Sequence, residues 1–228
     1  MSDPTRVDES LGRRPGETDA DWFRRTFGPI PAPVEEPEPA PTQVANTRLR
    51  RASAILERSI PPTYRWCHLD APELSERVYG PAIAMGKNDW REPRICLMGA
   101  SRAGKTSLAV AMLRAWVLGH QRVAVFVPAH RLGVARIQHA AGHGEPEIVE
   151  TAMTAPLVLL DDVGSERDFP TNPLPDVVFE RHAQELPTWI TTGLTREQLV
   201  KRYGLGVVAR MFERARVIPV GAKLAPVR

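Results

Sequence analysis

Gly99, Ala100, Ser101, Arg102, Ala103, Gly104, Lys105 and Thr106 satisfy the pattern GxxxxGK[ST] at every constrained position. Each constrained residue answers a chemical need. Backbone N–H groups of a glycine-rich loop can wrap a β-phosphate, a lysine ammonium can reach the β- and γ-phosphates, and a threonine hydroxyl can ligate Mg²⁺. The loop sits between an apolar run, residues 94–98, and a stretch with an alanine-rich apolar face, residues 107–118. The first reads as a strand and the second as a helix whose positive N-terminal end, Ser107 included, favours an anion. Such a strand–loop–helix predicts nucleoside triphosphate binding. A second constellation supplies acids. Leu157, Val158, Leu159 and Leu160 precede Asp161 and Asp162, which predicts a strand buried on both faces that delivers two carboxylates at its C-terminal end. Asp161 is the expected Mg²⁺ ligand, through water, and Asp162 the expected group that polarises an attacking water. A capped turn before Gly164 is the alternative for such a pair, and the preceding phosphate loop favours the metal reading.

The elements that must carry these residues can be read from periodicity. Residues 47–59 read as a helix with Leu49, Ala52, Ile55 and Leu56 on one side, stopped by Pro61 and Pro62. Residues 74–87 read as a second helix, leading to the strand before the loop. Further on, strands are predicted at 122–127, 155–160, 188–192 and 217–220, and helices at 129–141, 176–186, 195–203 and 207–214. This alternation predicts a parallel sheet with helices on both faces.

Other chemistry finds little support. Cys67 and Cys96 are the only cysteines and are far apart, which argues against a disulfide scaffold or a cysteine-rich zinc site. His139 and His143 are spaced i, i+4, but no Glu follows His139 as HExxH requires. Gly-x-Ser-x-Gly is absent. Trp90, Trp116 and Trp189 read as packing. No apolar run approaches the ~20 residues of a membrane span, and the first residues lack the apolar stretch of a secretory signal. A cytoplasmic address with no membrane partner is therefore expected.

Charge divides the chain. Residues 1–45 hold five arginines and nine acidic residues, whereas residues 196–228 hold eight basic and two acidic ones. A basic end is compatible with nucleic acid, although charge alone fits a solvated arginine-rich surface equally well. Two domains are expected. Residues 1–45 form a flexible, disordered extension, with a short helix at 19–27 grouping Trp22, Phe23 and Phe27, either as a docking peptide or packed on its own domain. Six prolines between Pro29 and Pro41 predict a stiff spacer. Residues 46–228 form the globular domain.

Five stretches together resemble a known family. They are Leu56-Glu-Arg-Ser-Ile-Pro-Pro-Thr-Tyr64-Arg65, the phosphate loop, residues 157–162 with Gly164, Pro187-Thr-Trp-Ile-Thr-Thr192, and Arg202-Tyr-Gly204 through Val208-Ala-Arg210-Met-Phe-Glu213. Over about residues 46–222 the chain resembles the DnaC/IstB-type AAA+ ATPases, which include bacterial and phage helicase loaders and transposon helper ATPases. The resemblance implies an AAA+ three-layer sandwich with a mostly parallel five-stranded sheet, ATP as the nucleotide with Mg²⁺, and ATP hydrolysis. It implies that Tyr64 and Arg65 run beside the adenine and that Thr192 ends the sensor-1 strand. Arg210 matches the arginine that such ATPases insert into a neighbouring subunit's nucleotide, which implies self-association; a helix cap or salt bridge is its plainer role. Implied partners are a replicative DNA helicase and DNA, with single-stranded DNA expected. The alternatives are a transposase recruited on duplex DNA, or a nucleotide-sensing adaptor with little turnover. Two departures stand out. Gly193 occupies a place that usually holds a polar residue such as Asn, leaving Thr191 or Thr192 to orient water or the reaction slow. The extension, unlike the folded helicase-binding domains of many loaders, offers no metal ligands.

Overall fold

The computed structural model describes residues 41–139, 142–166 and 172–221, together with Gly16, Thr18, Asp21 and Arg25. Apart from Asp21 and Arg25, the expected docking helix at 19–27 lies outside the described residues, as does the proline spacer before Pro41. Residues 41–228 form one compact unit.

A five-stranded sheet organises this unit. Its strands are β1 (Arg94–Met98), β2 (Ala124–Pro128), β3 (Leu157–Val163), β4 (Thr188–Thr192) and β5 (Arg216–Pro219), in the order β2-β3-β4-β1-β5. Every neighbouring pair is parallel, so the mostly parallel sheet of the sequence reading is wholly so. The cause is visible along each strand. Successive side chains of a strand face opposite layers, and here both layers are apolar. Leu97, Leu157, Leu159, Trp189 and Ile218 enter one buried cluster, while Cys96, Val158, Leu160 and Ile190 enter the other. Helices α1 (Pro41–Ser59), α2 (Pro72–Arg77), α3 (Gly80–Asp89) and α4 (Lys105–His120) close the first cluster through Leu56, Leu74, Ala82 and Leu108. Helices α5 (Ala129–Gln138), α6 (Glu147–Thr154), α7 (Leu174–Ala183), α8 (Arg196–Tyr203) and α9 (Leu205–Phe212) close the second through Leu132, Val149, Val177, Leu199 and Val208. The molecule is the expected α/β three-layer sandwich. Among the described residues, no helix is long and apolar enough to cross a membrane.

Three element boundaries differ from the sequence reading for identifiable reasons. Helix α1 starts at Pro41 rather than Thr47, because a proline at the start of a helix forfeits only an N–H that has no partner there. The single helix expected at 74–87 is two. Val78 is extended and Tyr79 is not helical, since Pro81 has no N–H to continue the helix and its ring would clash with the carbonyl four residues earlier. Helix α6 was not anticipated, although Pro146 ahead of Glu147 and Glu150 in the first turn are ordinary start signals. Trp116 and Trp189 are core residues, and the Trp189 indole N–H donates to the Glu92 carbonyl at 2.9 Å. The His139 ring lies 3.4 Å from the His143 carbonyl.

Candidate nucleotide site

The parallel sheet places the C-terminal ends of β1, β3 and β4 side by side, and these ends carry the predicted chemistry. The loop from Gly99 to Gly104 connects β1 to the first turn of α4. Gly99 is required by close approach, because a Cβ there would lie 1.7 Å from the Val220 carbonyl oxygen. Gly104 is left-handed at φ 89°, and a Cβ there would meet Val78 at 2.6 Å. The extended Val78 that breaks the helix pair is thus what seats α2 against the loop.

Lys105 is buried, and its ammonium donates to the carbonyls of Gly99 and Ala100 at 2.9 and 2.8 Å. Burial holds its pKa below the usual lysine range, against the opposing pull of Asp162 and Asp161. The cation therefore stands at the mouth of the loop, where phosphate oxygens could replace the carbonyls.

The two acids have different surroundings. Asp161 is 8% exposed and accepts hydrogen bonds at Oδ1 from Thr191 at 2.7 Å and Thr106 at 2.9 Å. Burial raises its pKa, and the two hydroxyls oppose the rise. Asp162 is exposed and left-handed at φ 58°. The β3–β4 register shifts between Leu160 and Val163, so Asp162 sits on a bulge that turns its carboxylate out of the sheet. Such a conformation costs a non-glycine residue about 1–3 kcal/mol. Its N–H donates to Thr191 Oγ1 at 2.8 Å, which makes Thr191 the bridge between the two acids.

A cleft joins these groups. It is lined by Tyr64, Arg77, Ser101, Arg102, Gly104, Lys105, Thr106, Ser107, Asp161 and Asp162. Most of the predicted set is thereby brought together. Thr106 and Asp161 offer adjacent hard oxygens suited to Mg²⁺, which takes few protein ligands and completes its shell with water and phosphate. Among the described residues, no group of three His, Cys, Asp or Glu could hold a metal without such help.

Four other residues of the predicted set have surroundings that their spacing alone does not indicate. The Tyr64 phenol faces Thr106 and Asp161; burial and Asp161 raise its pKa, against an opposing hydrogen bond with Thr106. Arg65 is exposed and lines no part of the cleft; its carbonyl accepts from Arg114 at 2.9 Å. Thr192 is fully buried, donating to the Val163 carbonyl at 2.6 Å and accepting from Leu194 N–H at 3.1 Å. Arg210 lies outside the cleft. Its guanidinium donates to the Gly206 carbonyl at 2.9 Å and stacks 4.5 Å from the Phe179 ring, beside His182 and Glu180.

Sequence reasoning missed Arg77. This arginine lines the cleft from the end of α2, its guanidinium 4.8 Å from the centre of the Trp66 ring. No motif marks it, because the bend at Val78 is what brings it there. A second, more apolar cleft flanks the other side of the loop, between Tyr79, Ala82 and Met85 and the chain after β5 at Pro219–Gly221. Its apolar lining suits an apolar ring better than a phosphate.

No family model matches the chain, and no curated protein matches it. Solved structures do. The chain is similar to a DnaC helicase loader, with a TM-score of 0.59 and 23% identity over 70% of this chain and 99% of that one. It is similar to DnaI, with a TM-score of 0.57 and 18% identity over 72% and 93%. It is also similar to the replication initiator DnaA bound to AMPPCP and single-stranded DNA, with a TM-score of 0.54 and 17% identity over 72% and 51%. At these identities the likeness is one of fold alone: the chain shares the parallel α/β framework of these structures.

Proposed function

We propose that the protein is an ATP-binding and ATP-hydrolysing helicase loader of DNA replication, acting as an oligomer on single-stranded DNA and on a replicative helicase. The observation that carries the reading is the joint placement of Lys105, Thr106, Asp161 and Asp162 around one cleft at the head of a parallel sheet. Lys105 and the loop N–H groups bind and orient the phosphates, and Thr106 and Asp161 would hold Mg²⁺, which would offset phosphate charge. Asp162, the exposed acid, orients and deprotonates water. Arg210 is the residue given to a neighbour's site. The fold supports this reading, since a DnaC helicase loader has a similar one, as does part of a DnaA bound to AMPPCP and single-stranded DNA.

An ATPase assay with single-stranded, double-stranded or no DNA tests it, alongside capture of the replicative helicase with and without residues 1–28. Lys105→Ala should weaken ATP binding about 10- to 100-fold, the loss of charge-assisted hydrogen bonds. Asp162→Asn should bind normally and lose turnover by about a hundredfold or more. Turnover retained by Asp162→Asn would move the base elsewhere. Stimulation by duplex alone, with capture of a transposase, would select the transposition helper instead. One observation favours a sensor with little turnover: the Thr192 hydroxyl is committed to Val163 and Leu194, and Gly193 has no side chain. ATP binding without hydrolysis under every condition would select that reading.

A further inference from the structure

Glu166 is a carboxylate with 3% exposure that the chemistry above does not use. Burying a charge costs several kcal/mol unless its partners are excellent, and its partners come from two separate parts of the fold. Oε2 accepts the Gly164 N–H at 2.9 Å. Oε1 accepts the Tyr203 hydroxyl and the Asn172 amide, the latter at 3.3 Å, and Arg202 Nε lies 3.7 Å away. The Arg202 guanidinium also donates to the Glu166 main-chain carbonyl. One side chain thus ties the turn after β3 to the last turn of α8.

Each end of this tie matters. On the β3 side, Gly164 stands two residues past Asp162, and the Asp162 carbonyl accepts both the N–H and the hydroxyl of Ser165, at 3.1 and 2.7 Å. The left-handed backbone of Asp162 is therefore held from behind by the same turn that Glu166 anchors. On the α8 side, Tyr203 and Arg202 are the last residues before Gly204 and α9, the helix that carries Arg210. A shift of α8 and α9 must either stretch this tie or move the turn. Interiors packed in this way transmit such strain rather than absorb it.

We propose that Glu166 is a positioning residue coupling α8–α9 to the backbone of Asp162, so that nucleotide at the cleft and the placement of Arg210 bias one another. The proposal rests on reading Asp162 as the acid that orients water. Through it, an event on the α8–α9 surface, such as arrival of a second copy of the chain, reaches the catalytic carboxylate without touching the nucleotide.

Two conservative variants of the full chain test it. Glu166→Gln cannot accept the Gly164 and Tyr203 protons together, because its amide presents a donor on one side. Tyr203→Phe removes one hydroxyl and serves if Glu166→Gln fails to fold. Hydrogen exchange is followed with and without a non-hydrolysable ATP analogue and Mg²⁺, and steady-state ATPase kinetics are measured beside it. In the wild type, the analogue should change the exchange of residues 196–212. Both variants should bind it with unchanged affinity yet lose that response, and kcat should fall about tenfold at constant KM, as a small misplacement of a catalytic group would cause. The double variant should be no worse than either single one. A wild-type exchange response with wild-type kcat in both variants overturns the proposal, as does a rise in KM alone. Wild-type binding with no response in 196–212 overturns it too and leaves the nucleotide reading standing. Absence of any nucleotide binding overturns both.

Discussion

Gly193 sits where β4 ends beside the phosphate loop, and a Cβ there would meet nothing nearer than the Gly99 carbonyl oxygen at 3.8 Å. That is ordinary contact, so the position has room for a side chain and lacks one. The neighbouring hydroxyls do not compensate. Thr191 is spent on Asp161 and on the Asp162 N–H, and Thr192 on Val163 and Leu194. Nothing on β4 is therefore left to orient a water facing Asp162, which predicts a slow site. Gly193→Asn should raise kcat by about tenfold, the lower end of what a positioned polar group contributes, with little change in nucleotide affinity. Equal or lower turnover in Gly193→Asn, with intact folding, would show that water is oriented by another group, Tyr64 beside Thr106 and Asp161 being a candidate.

Elements are held in register by side chains whose partners lie far away in sequence, and Arg181 on α7 is the clearest. It is 1% exposed, and among the described residues its hydrogen-bond acceptors are carbonyls and a hydroxyl rather than carboxylates. Its guanidinium donates to the carbonyls of Ala152, Met153 and Ala155 at the end of α6, to the Pro187 carbonyl at 2.5 Å, and to the Thr188 hydroxyl at 2.9 Å. Burial pushes its pKa down to about 10, so it stays charged at neutral pH, and the negative end of the α6 dipole favours that charge. Arg181→Met should cost about 3 kcal/mol, since several buried carbonyls lose their donor, and should lower Tm by about 10 °C. Arg181→Lys should recover only part, because one ammonium cannot span the fork. ATP affinity should not change in either, as the clamp lies at the start of β4 and the cleft beyond its end. An unaltered Tm in Arg181→Met would mean that water or main-chain shifts satisfy those carbonyls. The same distinction explains what the chain reveals when read alone. The strand before the loop, the loop and the acidic strand were legible because each is a contiguous run with its own pattern. The split of α2 from α3, the arrival of Arg77, the turn of Tyr64 toward Thr106, and the partners of Glu166 and Arg181 depend on pairings across tens of residues. No local periodicity encodes them.

At the scale of the whole molecule, the cleft and Arg210 lie on separate surfaces of one chain. The cleft holds the loop, Thr106, Asp161 and Asp162, while Arg210 stacks on Phe179 outside it, near the exposed Leu205. If Arg210 acts in trans, each cleft is complete only when another copy contributes its α9. Turnover per chain should then rise with protein concentration, and Arg210→Ala should lose about a thousandfold, the lower end of what such an arginine supplies. Mixing gives the sharper test. Lys105→Ala has a useless cleft but an intact Arg210, and Arg210→Ala has an intact cleft but nothing to give. Each should be nearly inactive alone, and the mixture should recover turnover, because a Lys105→Ala copy can complete the cleft of an Arg210→Ala copy. A cis role for Arg210, or a purely structural one on the Phe179 ring, predicts no recovery at any ratio. In that event Arg77, already inside the cleft and braced on Trp66, is the cation to substitute next, and its loss should impair monomer and assembly alike.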